Sequence, residues 1–197
     1  MNRLKTLSKI VAILAVCCFA FQNAAAQNDR AAEDEAVRVT NDSFPIQTQT
    51  PNGARIFAVR QPNAAMLRAI DRGLTDLFAV ARKNNYRKRL NYADYTIFIA
   101  RADRTRNADG NYSPDIAVEA AQYAGGVYDQ GGFIYAAGMV LSNNPCAFVF
   151  AEHTKNFERV SEVVRYEGEH LVLYHNDRRR YRQTADHSQG GGHPILQ

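Results

Sequence analysis

Three short uncharged runs of aromatic and β-branched residues constrain this chain most: Tyr95–Ala100, Phe133–Ala136 and Cys146–Ala151. Runs of that length and composition are strands. The alternation of Ala54, Arg55, Ile56, Phe57, Ala58, Val59 and Arg60 predicts another. Between the first two strands, Pro62 opens a helix reaching about Arg82. Its Met66, Leu67, Ile70, Leu74, Leu77, Phe78 and Val80 recur at helical spacing and give one apolar face. A second long helix follows the last strand, over about residues 155–174. Residues 101–114 read as a loop and 115–123 as a short helix. The order strand, helix, strand, irregular piece, strands, helix predicts an α+β domain with a small mixed sheet, a packing helix and a C-terminal helix that carries the site.

Composition narrows the class without naming an activity. With 197 residues, 46% hydrophobic and 22% charged, the chain is neither collagen-like nor low-complexity, and its length suits one domain. Residues 1–26 begin with Arg3, Lys5 and Lys9, continue through an apolar run from Ile10 to Phe21 and end in Ala24-Ala25-Ala26. This is the pattern of a cleaved export signal, and the run is short for a membrane span. Removing it leaves 21 basic against 20 acidic residues, so the positive charge gives no argument for nucleic acid as partner. No later stretch is long and apolar enough to span a bilayer. The expected organisation is a signal peptide over 1–26, a flexible polar leader over 27–51 with a short strand near its end, and one domain over 52–197. The expected location is periplasmic or extracellular.

Cys17 and Cys18 leave with the signal, so the mature chain keeps one cysteine, Cys146. An internal disulfide is excluded and the core alone must hold the fold. A buried thiol within its strand is the reading of Cys146.

The histidines carry the functional signal. All five (His153, His170, His175, His187 and His193) fall within the last 45 residues, a clustering that suggests a metal or acid–base site rather than only a polar tail. On a wheel of about 100° per residue, Glu167 and His170 share the stripe of Val160, Val163, Val164, Leu171 and Tyr174 that should face the sheet. Glu158, Glu162, Arg165 and Glu169 fall opposite, and Glu169 reads as ordinary solvated charge. An inward carboxylate needs a partner, a proton or a cation, and Glu167 with His170 is an i, i+3 pair able to share one ligand. The bland alternative is a Glu–His hydrogen bond holding the helix to the core. Gly168 costs the helix interior up to ~1 kcal/mol against Ala, which is tolerable if something approaches the backbone closely there.

The segment Gly126-Val127-Tyr128-Asp129-Gln130-Gly131-Gly132-Phe133-Ile134-Tyr135, followed by a strand and a helix containing Tyr166-Glu167-Gly168-Glu169-His170, resembles the small zincin metallopeptidases of the gluzincin type. The resemblance implies a zinc ion (Zn2+), Glu167 as the general base and His170 as the second ligand of an HExxH helix. Tyr166 stands where the first ligand histidine would be. That departure implies either other ligands or a scaffold that has lost hydrolysis. Replacement donors are His175, Asp177, His187 and His193, with the glycine run 190–192 able to bring His193 back over the helix. His153, ahead of the helix, reads as a turn or capping residue. The strand region from Phe133 to Leu141 would hold an extended peptide or protein substrate.

Other motifs are weaker. The basic runs 87–89 and 178–182 read as solvated faces that would also attract acidic groups or a membrane surface. There is no phosphate loop, no serine-hydrolase elbow and no interleaving of basic and aromatic residues for nucleic acid. The leading expectation is an exported, zincin-like peptidase or amidase built around Glu167 and His170. The alternatives are an envelope binding module of the same fold with those residues structural, and a metal-binding protein without hydrolysis.

Overall fold

A computed structural model describes residues 30–102, 115–119, 133–185 and 192–197. The segment 1–26 read as an export signal, the glycine/tyrosine/aspartate segment ahead of Phe133 and His187 lie outside the described residues.

The protein is an α+β fold built on a five-stranded mixed sheet. Residues 30–40 form α1. The main sheet contains β1 (Ile46–Gln49), β2 (Arg55–Ala58), β3 (Tyr95–Ala100), β6 (Gly138–Ser142) and β7 (Cys146–Ala151), in the order β1-β2-β3-β7-β6. The central β2, β3 and β7 run parallel, while β1 and β6 close the edges antiparallel. β4 (Ile116–Glu119) and β5 (Phe133–Ala136) pair as a separate antiparallel hairpin. The helices are α2 (Ala64–Lys83), α3 (Phe157–Asn176) and α4 (Arg178–Thr184). No described helix is long and apolar enough to cross a membrane.

The central strands are buried on both faces, as parallel strands with covered faces must be. Tyr95, Ile97, Ile99, Cys146, Phe148 and Phe150 turn to the layer made by α2 and α3. Phe98, Ala100, Ala147, Val149 and Ala151 turn to a second core with Ala32, Ala36 and Val39 of α1 and Ile116 and Val118 of β4. Phe98 stacks on Phe57 at 5.1 Å and takes Phe44 edge-on at 5.2 Å. Arg101 then ties the end of β3 to the buried carboxylate of Asp42, donating its backbone N–H at 2.8 Å as well as side-chain nitrogens.

Three expectations need correction. The leader is not loose over its described part: Ala32, Ala36 and Val39 give α1 a small-residue stripe that seals the second face. Residues 116–119 are strand, because Ile116 and Val118 alternate inward and pair with β5. The run from Phe133 to Leu141 is not one strand. It changes sheets at Ala137, so only β6 is an edge of the main sheet.

Helix ends follow their caps. Asn63 accepts from Met66 N at 2.9 Å, and Asn156 accepts from Arg159 N at 3.1 Å. α2 and α3 pack at very short range because glycine faces each partner. A Cβ at Gly73 would lie 2.4 Å from the Ser161 carbonyl oxygen, and one at Gly168 would lie 2.3 Å from Leu77 Cδ2. Gly168 therefore earns its place in the helix interior by admitting Leu77.

Candidate functional site

α3 lies over β6 and β7, against α2, and under the returning segment 192–197. These three neighbours sort its side chains. His170 is buried, 7% exposed, while Glu167, at the centre of the expected inward stripe, is only half-buried. It reaches the sheet where the sheet ends. A Cβ at Gly138 of β6 would come 3.0 Å from Glu167 Cγ and 3.1 Å from Oε1, so the glycine leaves the carboxylate its room. No hydrogen bond or ion pair of Glu167 is made among the described residues. Desolvation pushes its carboxyl up from 4.5 to about 8.

His193 does return to α3. Its ring stacks on Tyr166, centroids 4.9 Å apart at 19°, and meets His170 edge to face at 5.1 Å and 89°. Beneath it sits Glu169, completely buried rather than solvated. Glu169 Oε2 accepts from Ile195 N at 2.8 Å and lies 3.2 Å from His193 Nδ1. Its Oε1 is 3.5 Å from Arg165 Nε, without a hydrogen bond. Arg165 and Arg180 hold the same segment, donating to the carbonyls of Leu196 at 2.9 Å and Ile195 at 2.6 Å. Leu196 is fully buried in the core. The wheel misplaced Glu169 because it sees one apolar stripe. The far side of α3 is covered by chain that arrives from 24 residues downstream.

His193 Nδ1 and Glu169 Oε2, 3.2 Å apart, share a hydrogen bond that holds the imidazole ring against α3. That is how a histidine is prepared as a base or a metal ligand: a carboxylate fixes both tautomer and ring orientation. His170 and His193 are thus in ring contact, and the half-buried Glu167 lies three residues before His170 on α3. Among the described residues, no group of three His, Cys, Asp or Glu side chains is arranged to hold a metal ion.

The remaining candidates fall elsewhere. His175 turns to the β6–β7 turn, its Nε2 2.6 Å from the Asn143 carbonyl oxygen, and burial pushes its pKa down against that bond. Asp177 caps α4, accepting from Arg180 N at 3.0 Å. His153 does not cap α3, whose N-cap is Asn156. Cys146 is a buried free thiol, its pKa pushed up to about 12 mainly by burial.

Sequence reasoning reached Glu167, His170, His193 and Tyr166, but missed Glu169 and the anchoring residues Ile195 and Leu196. The apolar pair Ile195-Leu196 directly after the glycines and His193-Pro194 was the signal that this segment is buried. Comparison with protein-family models, with curated proteins and with solved structures finds no match.

Proposed function

We propose that the stretch of α3 carrying Glu167 and His170, with the returning His193 beside it, is a metal-assisted hydrolytic site in an exported protein, acting on peptide or amide bonds. One observation carries the reading: His193 is returned to the side of His170 and its Nδ1 is held by the buried carboxylate of Glu169. A buried carboxylate that orients an imidazole, with a second imidazole in ring contact, is the arrangement expected around a ligated metal.

His170 and His193 would hold the ion. A zinc ion supplies a bound water of lowered pKa and polarises a carbonyl when present. The protein's own residues do the rest. Glu167, raised by desolvation, takes and returns a proton near neutral pH at its carboxyl. Tyr166 stacks on His193 and, with Glu169, fixes the ring from two sides. The exposed backbone of β6 would align an extended chain beside Glu167.

The test is metal analysis of the purified mature protein beside Glu167→Gln, His170→Ala and His193→Ala. The expected result is near-stoichiometric zinc in wild type and Glu167→Gln, loss of zinc in both histidine variants, and peptide hydrolysis in wild type alone. Wild-type protein that carries no metal and is unchanged in stability by a chelator would remove the reading.

A second reading, a non-catalytic binding module, is favoured by the other partners of Glu169. The carboxylate also accepts from Ile195 N, and two arginines hold the adjoining carbonyls. Under that reading the pair pins the segment to α3, and His193→Ala lowers stability without altering metal content.

A further inference from the structure

The two basic runs, separate in the chain, meet at one end of the molecule. α2 closes in a Schellman turn, with Asn85 at φ +62°, Tyr86 N donating to the Ala81 carbonyl and Asn85 N to that of Arg82, both at 3.0 Å. This turn delivers residues 87–89 to the C-terminal end of α3. There Asn176 accepts at Oδ1 from the backbone N–H groups of Arg87 and Lys88, each at 3.0 Å, and donates from Nδ2 to the Lys88 carbonyl at 3.0 Å. α4 starts immediately afterwards and carries the second run. Tyr86 adds a tie, its hydroxyl donating to Asp177 Oδ2 at 3.2 Å.

The surface that results is strongly positive. Lys83, Arg87, Lys88, Arg178, Arg179 and Arg182 are all exposed. Among the described residues, the side chains of Lys83, Lys88, Arg179 and Arg182 make no hydrogen bond or ion pair. Of the nearby acids, Asp177 is engaged as the α4 cap and Asp94 pairs with Arg89 at 3.2 Å. Since residues 27–197 carry nearly balanced charge, the concentration here gives the molecule an oriented charge rather than a general one.

We propose that this end, formed by the 83–88 turn and α4, docks on an anionic lipid bilayer. Charge complementarity selects an anionic partner, and two features favour a lipid surface over nucleic acid. The rings of α3 and α4 at this end are already engaged: Tyr174 and Tyr181 meet edge to face at 5.2 Å, and Arg178 covers Tyr174 at 3.3 Å. The cations are also spread over two chain segments, the 83–88 turn and α4, rather than lined up along one, which suits a plane of headgroups. The one exposed large hydrophobic among the described residues, Val37, belongs to α1, so nothing at this end inserts. The association is electrostatic, contributed by each cation near the surface and screened by salt.

Both cores formed by the described residues lie within residues 30–197, so the chain from residue 27 serves for the test. Its binding is measured by co-sedimentation with vesicles of phosphatidylcholine alone and with about one-third phosphatidylglycerol, at low and at 0.3 M salt. Expected is binding to the anionic vesicles only, reversed by salt. Replacing Lys88, Arg179 and Arg182 by Gln weakens it by about fivefold per residue, about 100-fold together. The same number of Gln substitutions at Arg30, Arg68 and Lys155, also exposed, leaves it within a few-fold. The three patch residues make no side-chain contact that their loss would break, and a thermal melt verifies folding. Absence of binding at low salt, equal binding to neutral vesicles, equal losses in the two triple variants, or retention of RNA but not vesicles would each overturn the proposal.

Discussion

Replacing Gly73 by Ala puts the packing of α2 on α3 to a direct test, because two effects of opposite sign compete. Helix propensity alone makes Gly→Ala in a helix interior stabilising by about 1 kcal/mol. The added Cβ, however, would stand 2.4 Å from the Ser161 carbonyl oxygen and 2.9 Å from Val164 Cβ. Backbone cannot rotate away, so α3 must back off by roughly 1 Å to restore ordinary contact at about 3.5 Å. Overpacking of that kind costs about 1–3 kcal/mol, and more where backbone is met. Gly73→Ala should therefore destabilise the protein by about 1–2 kcal/mol net, or roughly 2–8 °C in Tm for a chain of this size. At Gly168 the intruder would meet Leu77 Cδ2 at 2.3 Å, the far end of a side chain. The cost there should be smaller, and Leu77→Ala should relieve it, so that the double variant is more stable than the sum of the two changes implies. Urea unfolding of the chain from residue 27, followed by circular dichroism, gives these values. A Gly73→Ala variant as stable as wild type, or more so, would refute the close-crossing argument.

The remaining expectations concern the site and the thiol. In chelator-treated protein, the carboxyl of Glu167 is raised from 4.5 to about 8 on folding; its stabilising contribution is complete below pH 4.5 and lost as pH rises through 8. The full shift corresponds to roughly 5 kcal/mol, which partial access to water reduces to about 1–2 kcal/mol. Glu167→Gln should flatten this fall and be the more stable protein at pH 9; parallel curves for the two proteins would count against a desolvated carboxyl. Glu169→Ala strips a buried anchor from Ile195 N and His193 and should cost about 3 kcal/mol, with hydrogen exchange at the Ile195 amide rising well above any global change. Cys146, buried and with its thiol near 12, should resist a thiol reagent at pH 8 in native protein and react fully in denaturant.

The strands β3 and β7 and the helices α2 and α3 were legible in the sequence because hydrophobic period is a local property. Six uncharged residues in a row need cover on both faces wherever they sit. The same local reading found Glu167 and His170 together, and the glycines ahead of His193 told that this residue could return. It could not tell what lay beyond one helix stripe. α3 touches a sheet, a helix and a returning segment, so a carboxylate on its nominally wet side, Glu169, became the most buried acid of the site, while Glu167, at the centre of the inward stripe, met the end of the sheet and kept part of its water. α1 carried its signal at Ala32, Ala36 and Val39 among acidic neighbours, but a stripe of small residues acquires meaning only opposite a face that needs covering. The basic end shows the same division. Each run taken alone is solvated charge, and it took Asn176, bonding across the gap between two distant segments, to make them one surface. Period and composition report what a segment must hide; which neighbour hides it depends on contacts between residues far apart in the chain, and these exist only once the chain has folded.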